Sequence, residues 1–139
     1  MVDILFASPP AIEEGIKASE AGINAAALAL GMPEYISEPF ALQARQGDEL
    51  IGNLSGRVFW NWLYVDLLWV HAEYQKQGIG TELMRRAEES ARAQNLVGIY
   101  CWTQSWQAPE FYKKLGYEEF TRFENFPPGH QRFGLRKYL

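Results

Sequence analysis

Residues 62–94 read WLYVDLLWVHAEYQKQGIGTELMRRAEESARAQ, and the fold turns on how they are read. Trp62–Val70 is an apolar strand. Leu63, Val65, Leu67 and Trp69 point one way, and Trp62, Tyr64, Asp66, Leu68 and Val70 point the other. Burial on both faces is therefore predicted, as for a central strand with helices on each side. Residues 79–94 put Ile79, Leu83, Met84, Ala87 and Ala91 on one stripe of an amphipathic helix. Glu82–Arg86 and Glu88–Arg92 fall at i,i+4 on its other side, each pair worth about a few tenths of a kcal/mol. Between strand and helix, a loop delivers Gly78 and Gly80 to the helix start. First-turn N–H groups lack intrahelical acceptors, and the helix dipole adds about half a positive charge there. A glycine turn feeding such a terminus can grip phosphate, because no Cβ keeps the ligand away.

Working outward, Gly47-Asp48 and Asn61 are turn signals. They mark off strands over 40–45 and 50–59, which with Trp62–Val70 make an antiparallel meander. Val97–Thr103 is the next strand, parallel to Trp62–Val70 across a right-handed βαβ unit. A short helix, Pro109–Leu115, stops at Gly116. Strands over 118–124 and 132–138 follow, joined by the turn Pro127-Pro128-Gly129. Upstream, 8–30 is helical, with Pro9 and Pro10 at its start. Gly15 and Gly22 weaken it, and a break near Ser19–Gly22 would give two helices. No linker, repeat or low-complexity run divides the 139 residues, so a single domain, 1–139, is expected.

Composition narrows the classes. The net charge of −4 disfavours a broad nucleic-acid face, which would be basic. No apolar run reaches the ~18 residues of a membrane span, and MVDILFASPP lacks the basic and apolar regions of a signal peptide. Cys101, the single cysteine, has no internal disulfide partner, which suits a cytoplasmic protein. Two histidines and that cysteine make no metal site.

Two phosphate motifs can be set aside. A dinucleotide fingerprint needs glycine or alanine where Leu83 stands, and a Walker A loop needs a lysine between Gly80 and Thr81. What remains is Gln75-x-x-Gly78-x-Gly80 between a strand and a helix. It resembles the acetyl-CoA pyrophosphate loop of the GNAT superfamily of N-acetyltransferases. Downstream, Ala108-Pro109-Glu110-Phe111-Tyr112-Lys113-Lys114-Leu115-Gly116-Tyr117 resembles that family's second signature, in the family's order. The likeness covers residues 62–120. It implies a mixed, mostly antiparallel central sheet flanked by helices, with one βαβ cofactor unit. The family's usual first strand would then have to be Val2–Phe6.

The resemblance implies acetyl-CoA as cosubstrate. The backbone of Gln77, Gly78, Ile79, Gly80 and Thr81 would meet its pyrophosphate, with Gln75 or Lys76 at the rim. Leu68, Trp69 and Val70 would line its acetyl and pantetheine end. Acetyl transfer to a primary amine then poses two proton problems. An alkylamine with a pKa near 10.4 is about one part in a thousand neutral at pH 7.4, so a base or water relay must take its proton. The leaving thiolate needs a donor, and a tyrosine is protonated at neutral pH. Tyr112 matches the family's tyrosine aimed at the thioester sulfur, and is the candidate general acid. Alternatively, it is a core aromatic with its hydroxyl bonded to backbone.

Asp66 is the one charge in its strand. A carboxylate buried there needs a reason, either as a base or as an acceptor for nearby N–H and O–H groups. Glu73 and His130 read as surface groups, and His71 as structural. Phe59, Trp60, Trp62, Tyr64, Trp102 and Trp106 would line an acceptor pocket, or serve the core or a homodimer contact. No Cys–His or Ser–His pair suggests an acyl-enzyme, so direct attack is expected. The rival reading is a non-catalytic acyl-CoA-binding module. Nucleic acid and membrane are not expected partners.

Overall fold

Trp60 and Asn61 both take positive φ, 44° and 63°, and their tight turn joins the second and third strands of the sheet. Those strands are β2, Glu49–Phe59, and β3, Trp62–Val70. β1, Glu38–Gln46, precedes them across a turn at Gly47, where φ is +60°. After β3 come a single 3-10 turn, Ala72–Tyr74, and the helix α2, Ile79–Ala93. β4, Gly98–Gln104, lies parallel to β3, as the βαβ unit requires. A short helix α3, Pro109–Lys114, leads to β5, Glu118–Glu124, and β6, Gln131–Tyr138. The six strands run in the order β1-β2-β3-β4-β6-β5, and only β3–β4 is parallel. The mixed, mostly antiparallel sheet is the one expected.

This computed structural model describes residues 1–139 and forms two compact units, Met1–Ile36 and Ser37–Leu139. The first holds one helix, Pro9–Ala29, here α1 (first in chain order), with no buried residue. It runs unbroken through Ser19–Gly22, so two helices do not form. Val2–Phe6 forms no strand, and the sheet begins at Glu38. The meander supplies its own edge strand, β1, and needs no pairing from the N-terminus.

In the second unit the core lies between one sheet face and α2. Leu54, Leu63, Met84, Ile99 and Leu135 are fully buried there, with Val65, Ala87 and Ala91. The stripe of α2 read from the sequence is the one that packs. Glu88 is an exception. It was placed on the solvent side, yet it is only 8% exposed. Its carboxylate receives Lys137 Nζ at 3.1 and 3.2 Å and the Tyr117 hydroxyl at 3.0 Å. The i,i+4 partner, Arg92, is the more distant contact at 3.6 Å.

β3 is buried on one face only, and there only in its first half, so the burial on both faces expected from its apolar pattern does not occur; Trp62 and Tyr64 on the other face are half-buried. Leu63 and Val65 are in the core, whereas Asp66, Leu67 and Trp69 are exposed. Two features cause the change. Ser55 pairs with Leu67 and Gly56 with Val65, so Asp66 is the extra residue of a β-bulge. A Cβ on Gly56 would stand 1.8 Å from the Tyr64 carbonyl oxygen, so the bulge closes only on glycine. The second feature is that β4 leaves β3. Their register runs from Trp62↔Gly98 to Val65↔Cys101 and ends there. Asp66 therefore does not bear a buried charge; it sits at the bulge, exposed, where the strands part.

Candidate active site

The parting of β3 and β4 opens a wedge with Val65 and Cys101 at its apex. On its β3 side, Leu67–Val70 stay paired with β2 but have no partner on β4. Below this open edge runs a groove of about 460 Å³. Leu68 and Val70 line it from the strand, Gln75, Lys76, Gly78, Ile79, Gly80 and Thr81 from the loop and helix start, and Ala108 and Phe111 from the α3 side. Most residues assigned to the cofactor by sequence thus meet around one cavity. Gln77 borders a neighbouring cavity with Gly78, Ile79, Glu82 and Arg86. Trp69 points away from the groove and packs edge-on against His71, with ring centroids 6.0 Å apart.

The loop is shaped for its place. Lys76 and Gly78 both take left-handed backbone, with φ of 62° and 83°. Gly78 caps α2, and the first helical bond runs from Glu82 N to Gly78 O at 2.9 Å. The amides of Ile79, Gly80 and Thr81 precede that bond and have no intrahelical acceptor. The Gln75 side chain donates to Val70 O at 3.1 Å, tying the loop to the end of β3. Glu82 would oppose an anion here. Arg85 and Arg86 neutralise it, holding its carboxyl down at about 2. A Cβ on Gly78 would touch nothing within 4 Å, so Gly78→Ala suffers only from its φ. It is expected to cost about 1–2 kcal/mol of folding stability, read from the urea midpoint.

α3 places Tyr112 in the core near Cys101, at the apex of the wedge; its neighbours Ala108 and Phe111 line the groove and Tyr112 does not. The ring is 8% exposed, packed edge-on against Phe111 and Tyr117 at 5.2 and 5.9 Å. Its hydroxyl makes no hydrogen bond within the protein. Tyr112 is thus packed in the core, as the alternative reading had it, but without the bond to backbone. Burial pushes its pKa well above the ordinary tyrosine value, and the nearby Cys101 thiol adds to the shift. Burial also pushes the Cys101 thiol up to about 12, so it is no thiolate nucleophile at neutral pH.

The opposite sheet face carries no core. There Tyr64 stacks on Tyr100, with centroids 4.9 Å apart, and its hydroxyl donates to Asp66 Oδ1 at 3.3 Å. Ser55, Gly56, Arg57, Tyr64 and Asp66 line a polar cavity of about 300 Å³. Desolvation, and then the Asp66 charge, raise the Tyr64 pKa. The aromatic cluster read from the sequence divides. Phe59, Trp60, Trp62, Tyr100 and Phe120 line a separate apolar cavity of about 250 Å³, whereas Trp102 stacks on Phe123 at 5.6 Å.

The histidines behave as structural groups. His71 Nδ1 accepts Glu73 N–H at 3.1 Å and caps the 3-10 turn, while Glu73 is exposed. His130 lies 3.3 Å from Ser105 Oγ and edge-on to Trp106 at 5.0 Å. The sequence reading gave no role to Phe111, although it stands in the second motif. A Cβ on Gly80 would meet its ring at 3.4 Å, so Phe111 closes the groove against the helix start.

The profile of the family described as acetyltransferase (GNAT) family matches residues 15–117. The chain belongs to that family. Blasticidin-S acetyltransferase of Streptomyces morookaense is 44% identical over 82 residues, which are 58% of this chain and 60% of that protein. An acetyltransferase of Agrobacterium fabrum is 36% identical over 81 residues, 58% of this chain and 57% of that protein. The matches thus span 60% and 57% of these curated relatives' lengths. Among solved structures, an acetyltransferase from Bacillus cereus superposes with a TM-score of 0.84 at 26% identity, covering 99% of this chain and 98% of that one. An aminoglycoside 6'-N-acetyltransferase complexed with coenzyme A shares the fold at a TM-score of 0.67 and 21% identity, over 73% of each chain. The resemblance of the two motifs and the architecture it implied are both borne out.

Proposed function

We propose that this protein transfers an acetyl group from acetyl-CoA to a primary amine by direct attack on the thioester. The observation that carries the reading is the wedge between β3 and β4 beside the glycine loop. Unpaired amides after Gly78 would hold the diphosphate. The free edge of Leu68–Val70 would pair with the pantetheine amides, as a strand pairs with an extended ligand. The thioester then reaches the apex, where the unbonded phenol of Tyr112 meets the departing sulfur and donates its proton. The pKa shift keeps that proton available through the physiological range.

On the other face, Asp66 accepts the amine's proton, with the Tyr64 hydroxyl orienting the carboxylate. Asp66→Asn is expected to cost about 10²-fold in kcat/KM. An unchanged kcat/KM would place the base elsewhere. Cys101 is buried and held protonated, which supports direct attack over an acyl-enzyme. A burst of free CoA before any acceptor is added would contradict that order.

Both units belong to one acetyltransferase domain in this reading, since the family match begins inside α1. No helix is long and apolar enough to cross a membrane, which is compatible with a cytoplasmic enzyme. The acceptor is a small molecule or peptide amine, in keeping with the names of the relatives. The direct test is calorimetry with coenzyme A, followed by acetyl-CoA consumption across an amine panel. Heat with CoA but no turnover on any amine would leave the binding-module reading.

A further inference from the structure

Every arginine except Arg57 and Arg132 has a side-chain hydrogen bond or ion pair within the protein. In a chain with more acidic than basic residues, two unmatched guanidinium groups are unexpected. Both adjoin Tyr64. Arg57 lies over the Tyr64 ring at 5.6 Å and is exposed. Arg132 is half-buried, and its charge acts on the Tyr64 phenol.

Arg132 is held in a slot. Its guanidinium lies 4.9 Å from the Trp102 ring and 4.9 Å from the Phe126 ring, a cation between two aromatic faces. The slot is fixed from outside. Gln104 Nε2 donates to Phe126 O at 2.7 Å, and Phe126 N donates to His130 O at 3.1 Å. The buried Nε of Arg132 has no acceptor. A buried donor without an acceptor is costly and rare, and the terminal nitrogens of the same guanidinium have no acceptor either. Arg136 shows the contrast. It lies between Phe120 and Tyr138 in the same manner, yet Glu118 accepts from its Nε at 3.2 Å.

Asp66 is the complement. Its carboxylate receives only the Tyr64 hydroxyl and makes no ion pair. The unpaired carboxylate of Asp66, bonded to Tyr64, and the unpaired guanidinium of Arg132, held against Trp102, thus lie on the same coreless face of the sheet. We infer that Arg132 binds a carboxylate carried by the acceptor, so that the acceptor class is amino-acid-like: an amine for Asp66 and an acid for Arg132. Arg132 is then a specificity-determining residue, presenting a planar fork to a planar anion. This rests on the acetyltransferase reading above.

The test uses matched amines, each offered as the free acid and as its carboxamide, with CoA release as the readout. Wild-type protein is expected to favour the acid by about ten- to a hundred-fold in kcat/KM, mostly through KM. Arg132→Gln is expected to bring the ratio near one, and Arg132→Lys to keep part of it. A melting curve on each variant separates recognition from folding. Equal rates on acid and carboxamide in the wild-type protein would overturn this inference while leaving the transferase standing. So would an Arg132→Gln loss that is the same on both forms. Coenzyme A binding with no turnover on any amine of either form would instead remove the transferase reading, and this one with it.

Discussion

Tyr112→Phe is expected to lower kcat by about 10²- to 10⁴-fold, or about 3 to 5 kcal/mol in barrier, with little change in KM or stability. The two halves of that expectation have separate grounds. The phenol has no hydrogen bond to lose, so removing its oxygen leaves the packing against Phe111 and Tyr117 in place. A tyrosine bonded in the core would instead leave a partner unsatisfied and cost about 1–3 kcal/mol. The rate loss follows from the leaving group. A thiolate expelled at a buried apex cannot collect a proton from bulk water as it forms, so the donor must be in place. The pH profile gives a further check. A general acid acts in its protonated form, and the Tyr112 pKa lies above the ordinary value. Tyr112 should therefore cause no alkaline fall in kcat below about pH 10. A variant with wild-type kcat would remove Tyr112 from the chemistry.

Where the sequence was legible and where it was not follows from the range of the interactions concerned. The turns at Gly47 and Asn61, the stop at Gly116 and the stripe of α2 are local signals, and each element lies within two residues of its reading. The glycine loop was legible because its geometry is local too: a helix terminus and its preceding turn are contiguous in the chain. Asp66 misled because alternation assumes a regular strand. One bulge, set by Gly56 on the neighbouring strand, shifts the phase and turns a supposed buried charge outward. Glu88 misled for a related reason. Its helix position looks solvated, and its partner lies 49 positions along the chain, on β6. Arg132 carried no sequence signal at all. Its oddity is the lack of an acceptor, which exists only after Trp102 and Phe126 have closed on it.

Glu88→Ala is expected to destabilise the fold by about 3–5 kcal/mol, a large fraction of a small domain's stability. The carboxylate is the centre of a network joining three elements: α2 carries it, β6 brings Lys137, and the segment after α3 brings Tyr117. Lys137 Nζ also donates to Leu115 O at 2.8 Å, capping the end of α3. Truncation leaves a partly buried ammonium with one neutral acceptor and a buried phenol with none. The breakage, rather than the bond, sets the size of the effect. Glu88→Gln keeps an acceptor for Tyr117 and should cost roughly half as much. Replacing Glu88 by Leu together with Lys137 by Met should recover only part of the loss, because it removes the stranded ammonium but leaves the Tyr117 hydroxyl and the Leu115 carbonyl without partners.

The same network predicts an alkaline limb in stability. Burial, then Glu88, raise the Tyr117 pKa above that of an unfolded tyrosine. The contribution of that shift is fully present below the unfolded pKa, about 10, and is lost as pH rises through the folded one. Urea midpoints measured from pH 7 to 11 should therefore fall above about pH 10 in the wild-type protein. The fall should be shallower in Tyr117→Phe. Because α3 carries Tyr112 as well as leading to Tyr117, Glu88→Ala should loosen the phenol at the apex, and kcat should drop even at temperatures where the variant stays folded. A Glu88→Ala protein within about 1 kcal/mol of wild type would mean that the ammonium and the phenol find water instead, and that the network does not fix α3.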